Sequence, residues 1–164
     1  MTTETPPRKA ARRDNRTLRA AARLYAVQAL FQMEAAGQTV EAVSTEFESH
    51  RIGVADVESG ATMAEADRKL FRTLLEEAVN WQASIDQMTD RALVAKWPLD
   101  RIDPTLRALF RAAGAELTQT TTPPKVVISE FVDVARAFFP EGREPRFVNA
   151  VLDHMAHEAR PEAF

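Results

Sequence analysis

The sequence predicts an all-α domain, a bundle of about six or seven helices. Three observations carry that prediction. Apolar residues recur at three- and four-residue intervals in most stretches between helix breakers. No segment alternates apolar and polar residues with a period of two, so nothing reads as a half-buried strand. The strong punctuation (Gly37, Pro98, Asp103-Pro104, Pro123-Pro124, Pro140) falls where helices of ordinary length start and stop. A chain of 164 residues with 45% hydrophobic content is large enough to bury one real core. Its helices can still divide into two sub-bundles within residues 15–160.

Residues 1–14 are polar and charged and contain Pro6-Pro7, so they read as a flexible basic arm. A first helix is expected from Asn15, a fair N-cap, to Ala36, with Gly37 as its stop. Thr39 caps a second, in which Val40, Val43 and Phe47 share a face. Residues 51–64 hold Gly53 and Gly60 without periodicity and read as a loop. From about Glu65 a long helix is expected, with the stripe Leu70, Phe71, Leu74, Leu75, Ala78, Val79, Trp81 and Ile85. A break is expected near Thr89 and the end at Pro98. Asp103-Pro104 gives an N-cap followed by proline at the first helical position, opening a helix to Thr118. Within it, Ala112-Ala113-Gly114-Ala115 is a small-residue patch that lets another helix approach closely. Pro124 opens the next helix, which ends at Phe138-Phe139-Pro140-Glu141-Gly142. A last helix is expected from Glu144 to Glu158, leaving residues 161–164 as a tail.

Composition excludes several classes of function. There are no cysteines, which removes disulfides, thiolate catalysis and sulfur-based zinc sites. No two of the five glycines are closer than seven residues, so neither G-x-G-x-x-G nor a Walker loop is present. There is no G-x-S-x-G elbow. His154 and His157 share a helical face but lack a third fixed ligand, and no metal or other cofactor is expected. No apolar run approaches a membrane span, and no apolar core follows the N-terminal charges as in a secretory signal. A non-enzymatic, cytoplasmic protein is the reading.

The net charge of −3 conceals a split. Residues 1–23 hold seven basic residues against two acidic ones, whereas the remainder holds 14 basic and 22 acidic. A basic segment on an acidic body suggests a polyanionic partner, most often nucleic acid; a solubilising tail is the bland alternative. At 100° per residue, Arg12, Arg16, Arg19 and Arg23 fall within about 60° of one another and form one stripe, provided the helix extends back to Arg12. Such a stripe can track phosphates. Few acids lie within the same helix to neutralise it, although acidic neighbours elsewhere remain the alternative. Phe31 lies near the basic side; periodicity reads it as core, while an aromatic beside arginines can stack on an unpaired base. Arg107 and Arg111, one turn apart and preceded by Lys96 and Arg101, either extend a phosphate-binding surface or form structural ion pairs.

Three groups of residues in order resemble the bacterial NusB family of transcription antitermination factors. They are Ala26-Val-Gln-Ala-Leu-Phe31; Leu109-Phe-Arg111 with Glu116-Leu117; and Lys125-Val-Val-Ile-Ser-Glu130 with Phe147-Val-Asn149 and Val151-Leu-Asp153. No one of these is specific, but their order and spacing are, and the resemblance runs from Asn15 to His157. It implies an all-helical fold that binds the boxA element of ribosomal RNA leader transcripts. It also implies NusE, a small-subunit ribosomal protein, as partner, and loading of the pair onto RNA polymerase in an antitermination complex. By resemblance, Arg16, Arg19 and Arg23 belong to an RNA-contacting cluster, and Phe31 stands where many members have tyrosine, keeping the stacking face without the hydroxyl. Asp103-Pro104-Thr105 replaces an acidic residue and glycine found in some members, and Ala150 replaces a common glycine. The same domain is also fused to RNA cytosine methyltransferases, and a helical protein-binding adaptor without RNA is a further alternative. Homodimer formation is left open.

Overall fold

One helix organises the chain. Helix α5 (Pro104–Gln119) is buried at every position from Ala108 to Leu117 except Arg111, and it packs against α1, α3, α4, α6 and α7. The structure is a computed structural model that describes residues 8–55, 63–93 and 101–164, with side chains from Asp14 onward. The other helices among these residues are α1 (Arg8–Ala36), α2 (Val40–His50), α3 (Arg68–Asn80), α4 (Gln82–Ala92), α6 (Pro124–Phe138) and α7 (Glu144–Ala159); a 3₁₀ turn, Pro161–Ala163, follows. None is long and apolar enough to cross a membrane.

The expected sub-bundles exist only as two ends of one core. Helices α1, α2 and α3 meet through Tyr25, Phe47 and Phe71, with Tyr25 edge-on to Phe47 at 6.3 Å and Phe47 stacked on Phe71 at 5.7 Å. Helices α4, α6 and α7 gather around the other side of α5, where Phe110 meets Phe147 edge-on at 6.1 Å. The buried side chains form a single cluster across both ends.

Most boundaries follow the local chemistry. Gly37 ends α1 with φ +68°, a left-handed conformation that glycine adopts without a steric penalty. Thr39, Asp67 and Asp103 each accept a backbone N–H at the start of their helices. Two boundaries differ from expectation. Helix α1 begins at Arg8, not Asn15: residues 8–13 are only arginine, lysine and alanine, all strong helix formers, so nothing halts the helix there. The long helix breaks at Trp81 (φ −112°, ψ 18°), not near Thr89, which is a buried residue inside α4. Past the break the chain turns to a new face. Val79 and Trp81, expected in the apolar stripe, are exposed, and the Trp81 indole N–H donates to Glu77 at 3.0 Å. The end expected at Pro98 lies outside the described residues.

Gly114 marks the close approach of α4 to α5. A Cβ built there would lie 2.4 Å from the Ile85 Cγ2 atom and 3.4 Å from the Met155 Cε atom. Alanine would gain about 1 kcal/mol of helix propensity at this position, yet overpacking of this kind typically costs about 1–3 kcal/mol. Gly114→Ala is therefore expected to be net neutral to destabilising, and Gly114→Val clearly destabilising, by urea unfolding. A stabilised Gly114→Val variant would contradict the close packing of α4 on α5.

Candidate nucleic-acid interface

A groove of about 950 Å³ opens where residues 15–23 of α1 pass the start of α6. Asn15, Arg16, Arg19 and Arg23 line one wall; Thr121, Thr122 and Pro123 of the α5–α6 connection and Lys125, Val126, Ser129 and Glu130 of α6 line the other. Arg16, Arg19 and Lys125 are exposed at its rim. The α6 N-terminus adds the positive end of a helix dipole to the same space. Pro123 offers no side-chain cap, and Pro124, in the first helical position, has no N–H to leave unsatisfied.

The connection between α5 and α6 is held in place from a distance. Arg160, just past α7, donates to the carbonyls of Leu117 (2.7 Å), Glu116 (3.2 Å), Thr120 (2.5 Å) and Thr122 (2.7 Å). A cation on the exposed carbonyls of a helix C-terminus satisfies groups that have no intrahelical partner. It also fixes the wall of the groove.

The arginines expected to form one stripe separate into two sets. Arg19 is exposed and has no ion pair among the described residues, and Arg16 keeps a side chain 75% exposed while its Nε lies 3.5 Å from Glu130. Arg23 departs from the expectation: its side chain is only 2% exposed. Its Nε and Nη2 donate to the two carboxylate oxygens of the wholly buried Glu116 at 2.8 and 2.7 Å, and its Nη1 lies 3.7 Å from Glu130. The acids missing from α1 come instead from α5 and α6. Arg23 is thus the inner end of the groove and an anchor between helices, not a free phosphate ligand. The backbone of Arg12 belongs to α1, but its side chain lies outside the described residues.

Arg107 and Arg111 take the second of their two alternatives. Arg107 donates to Glu34 of α1, with the Nε bond at 3.1 Å. Arg111 holds Asp86 of α4 side-on at 3.0 and 2.9 Å and lies 3.5 Å from Glu34. Both side chains are 14% exposed. They tie α5 to α1 and α4 rather than extend the cationic rim.

Phe31 is not core. It is 41% exposed and lines a separate apolar hollow of about 460 Å³ with Val27, Gln28, Gln32, Thr105 and Phe138. Arg51 borders the hollow too, its guanidinium 4.3 Å from the Phe47 ring centre. Arg51 is oriented by Gln32 (2.8 Å) and by Glu46 (3.3 Å). Hydrogen bonding from Gln32, then from Gln38 and Arg51, outweighs desolvation and holds the Glu46 carboxyl below its ordinary range. Glu130, Lys125, Thr121, Thr122 and Ser129 were not candidates from sequence as groove residues. Pro123-Pro124 signalled a helix start, but nothing in the sequence showed that α1 would pass across it.

An all-helical body with an arginine- and lysine-rimmed groove is the kind of protein suited to a polyanionic partner. The NusB family model matches residues 20–157, and the chain belongs to the NusB family. A transcription antitermination protein NusB from Maricaulis maris is 46% identical over 148 residues, covering 90% of this chain and 91% of that protein. The solved structure of T. maritima NusB superposes with a TM-score of 0.69 at 25% identity and covers 99% of both chains. A complex of the antitermination factors NusB and NusE with double-stranded RNA contains a chain of the same fold, with a TM-score of 0.65 at 21% identity, covering 85% of this chain and 96% of that one. The chain is thus of the antitermination-factor kind and not of an enzyme kind.

The buried pair gives a direct stability test. Removing one partner of a buried ion pair typically costs about 3–5 kcal/mol, while replacing both with apolar groups costs far less. Arg23→Met is expected to lose stability in that range in urea unfolding, and adding Glu116→Leu to recover at least half of it. A loss below about 1 kcal/mol for Arg23→Met would mean that the pair is not structural.

Proposed function

We propose that this protein binds single-stranded leader RNA of the boxA type in the groove between α1 and α6, acts with NusE, and joins an RNA polymerase antitermination complex in the bacterial cytoplasm. The observation that carries the reading is the convergence of Arg16, Arg19 and Lys125 on one groove at the α6 N-terminus, within an otherwise acidic body. Arginine and lysine there neutralise phosphates, while the hydroxyls of Thr121, Thr122 and Ser129 supply neutral hydrogen bonds. Phe31 lies 12 residues beyond Arg19 on α1, about 18 Å along the axis. Its exposed face is suited to stacking on an unpaired base. The assignment to NusE rests on family membership and on the complex of NusB and NusE with double-stranded RNA that contains a structural neighbour. The acidic balance after residue 23 complements a basic ribosomal protein and would speed encounter with it.

The mode of RNA binding is testable by salt dependence. For single strands the slope of log affinity against log salt is about −0.7 per neutralised phosphate. Replacing Arg16 and Arg19 together by alanine is expected to flatten the slope by about 1.4 and to weaken binding to boxA and scrambled RNA alike. Unchanged slope and affinity in that double variant would remove the groove from the reading.

Phe31→Ala separates stacking from charge. A stacked base is worth about 1–3 kcal/mol, so affinity should fall by that amount with the salt slope intact. Because the residue is 41% exposed, the melting temperature should fall less than for truncation of a fully buried phenylalanine. A large drop in melting temperature with unaltered RNA affinity of the folded fraction would refute stacking.

A further inference from the structure

One side chain in the groove runs against its neighbours. Glu130 is 8% exposed, yet its carboxylate lines a space whose other charged groups are Arg16, Arg19, Arg23 and Lys125. Its two contacts are ion pairs at 3.5 Å to Arg16 and 3.7 Å to Arg23, both longer than the 2.7–2.9 Å typical of charge-assisted hydrogen bonds. Glu116 already holds Arg23 through two short bonds. Arg23, Glu116 and Glu130 together therefore carry one net negative charge, balanced only by the exposed Arg16. A groove for phosphate alone gains nothing from a carboxylate that repels phosphate. When Arg16 turns to a phosphate, Glu130 keeps only its 3.7 Å pair with Arg23, and a buried carboxylate without a short hydrogen bond gains from new donors.

On the RNA-binding reading above, we propose that Glu130 is the base-selecting residue of the groove and that it accepts the N1–H and N2–H donors of an unpaired guanine. Guanine is the base whose Watson–Crick edge presents two adjacent donors to match two carboxylate oxygens. Adenine and cytosine offer one amino group beside a ring-nitrogen acceptor, and uracil offers one N–H between two carbonyls; a carboxylate repels those acceptors. Arg16, Arg19 and Lys125 at the rim then hold the flanking phosphates. The negative floor keeps phosphates at the rim and draws a base inward. A paired guanine has this edge engaged, so the site discriminates against duplex.

The test uses the full chain and fluorescein-labelled oligouridine of about twelve nucleotides, with and without one central guanosine, and a third strand with inosine there, which lacks the N2 amino group. By fluorescence anisotropy at low salt, the guanosine strand should bind at least about tenfold more tightly than all-uridine RNA, with inosine between them. Glu130→Gln keeps the shape but turns one acceptor into a donor. It should reduce the guanosine preference to about twofold or less and tighten all-uridine binding, since the repulsion of phosphate is gone. Equal binding of guanosine and uridine strands by the native chain overturns the inference, as does a preference that survives in Glu130→Gln. If Glu130→Gln does not fold, the guanosine–inosine–uridine series on the native chain decides alone. No binding of any strand by the native chain refutes the RNA reading itself; equal binding of all three refutes only the role of Glu130.

Discussion

Burying the guanidinium of Arg23 commits α1 to a single position. A charge so fully removed from water must find acids, and they come from two other helices: Glu116 on α5, side-on, and Glu130 on α6. Hydrophobic contact along α1 would tolerate some rotation and sliding, because apolar packing is not directional. A two-bond guanidinium–carboxylate contact does not, since it specifies distance and plane together. Arg23 also stands at the boundary where α1 changes character. Before it, Asn15, Arg16 and Arg19 are exposed; after it, Tyr25, Ala26, Val27, Ala29 and Leu30 are buried. The pair thus holds the exposed turns of α1 against α6, and the groove exists because of it.

The same economy of charge explains the other arginines. Arg107 and Arg111 are drawn to Glu34 and Asp86, and Arg160 to the carbonyl end of α5. Each links helices that are distant in sequence, so together they brace α5 against α1, α4 and the chain that follows it. In the groove, the cations left to a ligand among the described residues are Arg19 and, in part, Arg16, with Lys125 opposite. Over residues 14–23 the basic stripe is therefore not one continuous binding surface. It is an anchor and a rim on the same helix, a turn apart.

Two positions acquire a physical meaning in this frame. Phe31 has an exposed aromatic face and no hydroxyl, so stacking is available while a hydroxyl hydrogen bond is not. Ala150 is an exposed position within α7. Alanine there favours the helix without meeting the core, so it strengthens α7 locally and leaves the groove untouched.

The sequence by itself determined the helical class, most helix starts and stops, the core face of α2 and most of that of α3. Caps such as Thr39 and Asp103, stops such as Gly37, and three-to-four periodicity act within a turn or two, so they are legible without the fold. The start of α1 and the turn at Trp81 were less legible because neither has a strong breaker. Only the tertiary structure decided which arginines face solvent. The partners of Arg23 are 93 and 107 residues away in the chain, and those of Arg107 and Arg111 lie 73, 77 and 25 residues away. The exposure of Phe31 was likewise invisible, because periodicity gives the angle of a side chain on its helix but not which neighbouring helices cover that angle. Charge is read from sequence as a sum; its availability depends on pairing across the fold, and that is set by packing.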